Sequence, residues 1–141
     1  RRGCWEAYAS ATALIRDTKR AMEKHPESLM NEIAKKEGKV TGRTAFDAMN
    51  AGDKTAKALV SRYIRYVGEG LVNIGNYIRP EIIFMGGGIS NQGDWFIKRL
   101  QAYVTRYSYG GKRNPYIKVV KATLKNEAGI LGAAALVAKS S

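Results

Sequence analysis

Three consecutive glycines, Gly86, Gly87 and Gly88, are the residues of this chain that best fit a ligand-binding turn. They follow directly after Ile82–Met85, a short run of β-branched, aromatic and other apolar residues that predicts a buried strand. Glycine allows positive φ and lets a ligand approach the backbone without meeting a Cβ atom. In open α/β sheets, ligands collect at the carboxyl ends of strands. The glycines therefore predict either a nucleotide or phosphate site, or a tight turn selected for shape alone.

A second group of residues with possible chemistry lies near the start of the chain. Cys4 is the only cysteine, so an internal disulfide is excluded, and one thiol is too little for a metal site. Glu6 is an acidic residue of the kind favoured at a helix N-terminus. From the residues alone, this structural interpretation is preferred for Glu6 over binding to the hydroxyls of a polyol, although a carboxylate can accept two such bonds.

Helical spacing of apolar residues predicts the elements that must position these groups. The first helix begins at Trp5 and ends at His25-Pro26, because the residue before proline is disfavoured in the α region. Serine, threonine and aspartate caps then begin three further helices, of which the first two end in glycine breaks and the last ends at Pro80. They are a short helix capped by Ser28 and closed by Gly38, a short helix capped by Thr44, and a long helix capped by Asp53.

The remaining pattern is strand, glycine turn, helix, strand, helix. A helix is predicted over 95–107, a second strand over 116–122, and a last helix from Asn126 or Glu127 to Val137 that is apolar nearly all round and should be buried. Gly68, Gly70 and Gly75 each cost about 1 kcal/mol inside the long helix relative to alanine, which indicates close approach by another element or a ligand. We expect an α/β fold in which the two strands pair in parallel.

Two strands are too few to cover this much apolar helix surface, since parallel sheets are normally wider and buried on both faces. Either the domain is helical with a vestigial sheet, or further strands lie upstream of Arg1. The abrupt opening of the sequence favours the second interpretation.

The net charge of +12 is large for 141 residues, and basic chains attract nucleic acids, anionic lipids or phosphorylated substrates. The lysines and arginines are spread over several predicted helices without one dense run. This distribution favours solvated helix faces over a nucleic-acid footprint. No run approaches the roughly 18 apolar residues of a membrane span and no signal peptide opens the chain, so a soluble, cytoplasmic protein is expected.

Three segments, at 3–10, 82–90 and 126–134, together resemble the C-terminal half of ROK-family proteins, a family of sugar kinases and sugar-responsive repressors. The similarity is greatest to its glucokinases. It implies an α/β fold of the ribonuclease-H-like, actin-like ATPase type, with residues 1–141 as the C-terminal lobe and an N-terminal catalytic lobe absent. It also implies a dimer.

The resemblance assigns roles to Cys4 and Glu6. In the family, the pattern Cys-x-Cys-Gly-x-x-Gly-Cys-x-Glu supplies three cysteines to a structural zinc, and only its tail matches here. Cys4 would be the last of these metal ligands, so we expect zinc in a full-length protein and none in this chain alone, because a closed site needs four ligands. Glu6 matches the substrate-binding glutamate that hydrogen-bonds sugar hydroxyls.

The resemblance also implies a reaction, the transfer of the γ-phosphoryl group of ATP, with magnesium, to a hexose hydroxyl. Gly86, Gly87 and Gly88 would bind the nucleotide, whereas Asn126 and Glu127 would cap the last helix. The catalytic aspartate of the family lies in the N-terminal lobe, so no catalytic residue is assigned here. The isolated chain is therefore expected to be inactive.

Two alternatives compete with a kinase. A ROK-family repressor has the same C-terminal domain and contacts DNA through an upstream helix-turn-helix, so nucleic acid would be a partner only in that case. A stand-alone helical interaction domain without a ligand would unfold cooperatively as a monomer, which the apolar helix faces argue against.

Overall fold

A computed structural model describes residues 3–113, 117–123, 129–130, 132 and 134–135. The described chain is helix-rich with one small sheet. Its helices and strands are α1 (Glu6–Ala9), α2 (Ala11–Lys24), α3 (Leu29–Glu37), α4 (Thr44–Asn50), α5 (Lys54–Ile78), β1 (Ile82–Met85), a 3-10 helix (Gly88–Gln92), α6 (Asp94–Tyr107), a 3-10 turn (Gly111–Arg113) and β2 (Lys118–Lys121).

The long helix α5 is the central support of the molecule. Asp53 caps its first turn by accepting a 2.7 Å hydrogen bond from the backbone N–H of Ala56, as the sequence predicted. This helix packs against α1, α2, α4 and α6. The core around it contains fully buried Phe46 and Phe96, whose rings meet edge to face with centroids 5.9 Å apart. Burial of the apolar residues of α5 in this core gives the helix its stability and its orientation.

The two described strands pair in parallel, in the predicted order, with Ile82 opposite Lys118 and Met85 opposite Lys121. The outer edge of β2 is closed by a side chain from α6. Gln101 donates to the carbonyl of Ile117 (3.0 Å) and accepts from the N–H of Val119 (2.7 Å). The amide of Gln101 therefore supplies the two hydrogen bonds that a neighbouring strand would otherwise make.

The prediction that β1 is buried was wrong for the described residues. Ile82 is 42% exposed and Phe84 is 67% exposed, because no described element covers that face of the sheet. The last predicted helix lies largely outside the described residues, including its capping pair Asn126 and Glu127. Ile130, which was expected to be buried, is 74% exposed.

Two predicted helix starts also differ. The first helix is divided at Ser10, which has extended backbone (ψ 164°) and caps α2 by accepting from the N–H of Ala13 (3.1 Å). Thr44 does not cap α4; it is the first residue of that helix, and its hydroxyl accepts from the N–H of Thr41 instead. Both differences arise because Ser and Thr hydroxyls bond nearby backbone in several local geometries.

Within the described part of the chain, no helix is both long enough and apolar enough to cross a bilayer.

Candidate functional site

The glycine turn after β1 is closed by two bonds to one carbonyl. The N–H and the hydroxyl of buried Ser90 both donate to the oxygen of Gly87, at 3.2 Å and 2.7 Å. Gly87 has φ 78°, a conformation that side chains of L-residues rarely adopt, so the turn requires glycine at this position. The turn then continues directly into the 3-10 helix.

Gly88 differs from Gly87, because the protein itself does not require a glycine there. A Cβ added at Gly88 would meet no atom within 4 Å, and one added at Gly86 would meet only the Cβ of Ala122 at 3.9 Å. Both residues are exposed. The absence of side chains at Gly86 and Gly88 leaves the backbone open to a ligand.

The turn borders a cavity of about 960 Å³ between the 3-10 helix and the loop joining α3 to α4. Of the three predicted glycines only Gly88 lines it. The other lining residues are Ala11, Glu37, Lys39, Thr41, Gly42, Arg43, Asp47, Ile89 and Gln92.

The lining of this cavity is polar but close to neutral. Lys39 and Arg43 are balanced by Glu37 and Asp47, and Arg43 is 3.7 Å from the Asp47 carboxylate. Thr41 and Gln92 add hydrogen-bonding groups. This loop was not predicted from the sequence as part of a site. Glycine, basic and hydroxyl residues cluster over 38–43, and this clustering could have indicated a binding loop.

The second candidate group, at Glu6, is carried by the short helix α1 on the side of α5. Glu6 is exposed and stands in the first turn of α1. Three hydrogen bonds hold this helix in place. The indole N–H of Trp5, the residue before α1, donates to the carbonyl of Tyr66 (2.8 Å). The hydroxyl of Tyr63 donates to the carbonyl of Ala9 (2.8 Å), and the guanidinium of Arg16 donates to the carbonyl of Ala7 (3.0 Å). Burial raises the pKa of Tyr63 to about 12, so its phenol remains a donor at neutral pH.

Glu6 and the glycine turn do not share one cavity. Glu6 does not line the space beside Gly88, whereas Ala11, the first residue of α2, does. The short segment from Glu6 to Ala11 thus connects the two candidate regions along the chain.

Cys4 is an exposed free thiol. Among the described residues no group of three or more His, Cys, Asp and Glu side chains could hold a metal ion. The described surroundings of Cys4 therefore do not provide the four ligands of a structural zinc site.

Three aspartates of this chain have structural partners. Asp17 pairs with Arg16 at 2.9 Å, Asp47 with Arg43, and Asp53 caps α5. Asp94 lies in the first turn of α6. None of these observations suggests a general base.

Comparison with known proteins identifies the family of this chain. The model of the ROK family matches residues 1–140. The chain belongs to the ROK family.

This ROK chain is similar to several bacterial kinases. It is 34% identical over 136 residues to the glucokinase of Thermotoga maritima and 33% identical over 135 residues to that of Halalkalibacterium halodurans. These alignments cover 96% of this chain but only 43% and 41% of the two enzymes. The chain thus spans about two fifths of the length of these relatives.

A solved structure extends the likeness to the fold. The ROK-family glucokinase of Streptomyces griseus, determined with glucose and AMPPNP, matches with a TM-score of 0.82 at 29% identity, over 96% of this chain and 45% of that enzyme. The predicted fold class is confirmed: this ROK chain has the α/β fold of the ROK sugar kinases, of the actin-like ATPase type, here helix-rich with two described strands.

Proposed function

We propose that this ROK chain is the C-terminal lobe of an ATP-dependent hexose kinase, and that its glycine turn contributes to the nucleotide site. The observation that carries the proposal is the cavity of about 960 Å³ beside Gly88, where backbone without side chains faces open space. The kinases reported above support it, and they favour a kinase over the repressor alternative.

The charge of the cavity lining favours one part of the nucleotide. Two cations balanced by two acids attract a triphosphate weakly, whereas Thr41, Gln92 and exposed backbone offer donors and acceptors to a ribose and a base. We assign the nucleoside of ATP to this cavity, with Gly86 and Gly87 shaping the turn beside it. The phosphates would extend away from the α3–α4 loop.

We assign hexose binding to Glu6. An exposed carboxylate on a fastened helix can accept hydrogen bonds from two sugar hydroxyls, and bonds to a charged acceptor are the stronger kind. Cys4, two residues earlier, is proposed as one ligand of a structural zinc whose other ligands lie outside the described residues.

The reaction follows from these assignments. An oxygen of the hexose forms a bond to the γ-phosphorus, the bond from that phosphorus to the β–γ bridging oxygen breaks, and ADP leaves. The hydroxyl proton passes to a carboxylate base outside this chain. Magnesium bound with ATP neutralises charge on the phosphates. The residues of this chain contribute by binding and orienting the two substrates, in a cytoplasmic protein that we propose to be a dimer.

The test is a coupled kinase assay on the protein expressed from its complete gene, with ATP and a panel of hexoses. Glu6→Gln keeps the shape of the side chain but removes its charge, and should raise the KM for the hexose about 10- to 100-fold. Glu27→Gln is the matched control, since Glu27 is an exposed acid that contacts His25. Absence of phosphorylation of every hexose by the unmodified protein would contradict the proposal.

A further inference from the structure

The contact between Gly70 and Trp5 joins the middle of α5 to the residue just before Glu6. Gly70 is buried, and a Cβ added there would overlap the indole ring of Trp5. The N–H of this indole donates to the carbonyl of Tyr66, one turn earlier in α5. The indole thus occupies the space that a side chain at position 70 would need.

Trp5 also forms the start of the helix that carries Glu6. Its carbonyl accepts from the N–H groups of Tyr8 (3.0 Å) and Ala9 (2.9 Å), which closes the first turn of α1. Among the described residues, the side chains that donate hydrogen bonds to α1 bind the carbonyls of Ala7 and Ala9, beyond Glu6. Trp5 is therefore the attachment on the N-terminal side of Glu6.

We infer that Gly70 is a positioning residue for the hexose site, acting on Glu6 through Trp5. The inference rests on the proposed role of Glu6. A methyl group at position 70 displaces the indole, breaks its bond to Tyr66 and releases the N-terminal end of α1, while Arg16 and Tyr63 still hold Ala7 and Ala9. Because Trp5 is 42% exposed, it can move into solvent without opening the core.

The long helix offers a matched control two residues away. A Cβ at Gly68 would overlap the ring of Tyr103. Gly68→Ala therefore changes the same helix as Gly70→Ala and also collides with an aromatic ring. Tyr103 belongs to α6, however, and its hydroxyl bonds Glu69. Gly68→Ala should therefore disturb α6 and leave Glu6 in place.

The experiment measures KM for hexose, KM for ATP and kcat in the protein from the complete gene. Gly70→Ala should raise the hexose KM about tenfold, as expected for one misplaced charged hydrogen-bond acceptor, with the KM for ATP changed less than twofold. Gly68→Ala should leave the hexose KM within twofold of the original value. An equal rise in both variants, or none in Gly70→Ala, overturns the inference.

A double-mutant cycle tests whether Gly70 acts through Trp5. Trp5→Ala should raise the hexose KM by itself, and adding Gly70→Ala should then have no further effect, because the ring that it displaces is gone. If the increases in hexose KM of the two single variants instead multiply in the double variant, Gly70 acts independently of Trp5, which overturns the inference.

The displacement can also be observed without catalysis. In protein labelled with 5-fluorotryptophan, the ¹⁹F resonance that disappears in Trp5→Phe belongs to Trp5. It should shift in Gly70→Ala and not in Gly68→Ala. If this shift is seen but the unmodified protein phosphorylates no hexose, the contact is real and the proposed function is wrong, and the inference about the hexose site falls with it.

Discussion

The hydroxyl of Ser28 donates a 2.7 Å hydrogen bond to the carboxylate of Asp53, which joins the start of α3 to the start of α5. The same carboxylate oxygen accepts from the backbone N–H of Leu29, also at 2.7 Å, and the other oxygen accepts from Ala56. One side chain thus satisfies backbone donors at two helix N-termini. Leu29 and Asp53 are 24 residues apart along the chain, so this one carboxylate joins two helices that are distant in sequence.

Replacing Asp53 should therefore cost more than losing an ordinary helix cap. Asp53→Ala removes the cap of α5 and the bonds from Ser28 and Leu29, and should lower the free energy of unfolding by about 2 to 3 kcal/mol. Urea unfolding followed by circular dichroism measures this loss. Asp47→Ala, which removes an exposed ion pair with Arg43, should cost less than about 1 kcal/mol. Equal losses in the two variants would contradict the dual-cap interpretation.

The same residue predicts a dependence on acid pH. Partial burial alone would raise the pKa of Asp53, but the hydrogen bonds from Ala56, Ser28 and Leu29 outweigh it and lower the pKa below the ordinary value of 3.8. A lowered pKa means that this stabilisation is present above pH 3.8 and is lost as the pH falls through the lower value in the folded state. In Asp53→Asn, the fall in melting temperature on acidification should be smaller than in the original protein.

Tyr63 predicts the opposite behaviour at alkaline pH. Its pKa is raised to about 12 by burial, so the unfolded chain ionises first, near pH 10. The stability that Tyr63 contributes is therefore complete below pH 10 and decreases between pH 10 and 12. Tyr63→Phe should reduce the loss of stability over this interval, measured by chemical denaturation at each pH. Tyr77→Phe is the control, because Tyr77 is 92% exposed, and it should leave the alkaline profile unchanged.

The amide of Gln101 gives a prediction about the sheet. Gln101→Met keeps the approximate size of the side chain but leaves the N–H of Val119 and the carbonyl of Ile117 without their partner. The expected cost is about 1 to 3 kcal/mol in the free energy of unfolding. Hydrogen exchange should be faster at Val119 than in Lys98→Met, a variant of the same helix at an exposed position. Unchanged exchange at Val119 would show that β2 does not depend on Gln101.

The glycine turn gives a prediction about nucleotide affinity. Gly88→Val fills space in which the protein has no atom within 4 Å of a Cβ, so it should leave folding intact while weakening ATP binding about tenfold or more. Isothermal calorimetry with a non-hydrolysable ATP analogue measures the effect. Gly52→Ala controls for the loss of a glycine away from the turn. Gly52 has φ 94° just after α4, so an alanine there should reduce stability without changing the affinity for the ATP analogue. Unchanged affinity in Gly88→Val would remove the turn from the nucleotide site.

The parts of the fold predicted from the sequence are those governed by local signals. Asp53, Ser28 and Gly38 end or begin helices through their own side chain or backbone freedom, and all three predictions were confirmed. The close approaches expected at Gly68, Gly70 and Gly75 were also confirmed, by Tyr103, Trp5 and Ile117. Local sequence does not identify which side chain fills each of these spaces, because the partners are distant along the chain.

The candidate site was only partly predictable for the same reason. The glycine turn is contiguous and therefore visible in the sequence. The α3–α4 loop, with Lys39 and Thr41, lies across the cavity from the glycine turn. The loop is about 50 residues earlier in the sequence, so only folding brings the two together. The exposure of Phe84 was missed because an apolar run indicates a strand but not what covers it.

The length of α5 has a mechanical consequence. Its 25 residues form a rod of about 38 Å that holds Trp5 at Gly70, contacts Ile117 at Gly75 and leads directly into β1 and its glycine turn. Glu6 and Gly88 are thus both connected to α5, Glu6 through the contact of Trp5 with Gly70 and Gly88 through β1, which follows the C-terminal end of the helix. A change in the distance between Glu6 and Gly88 therefore requires α5 to bend or one of these two connections to shift.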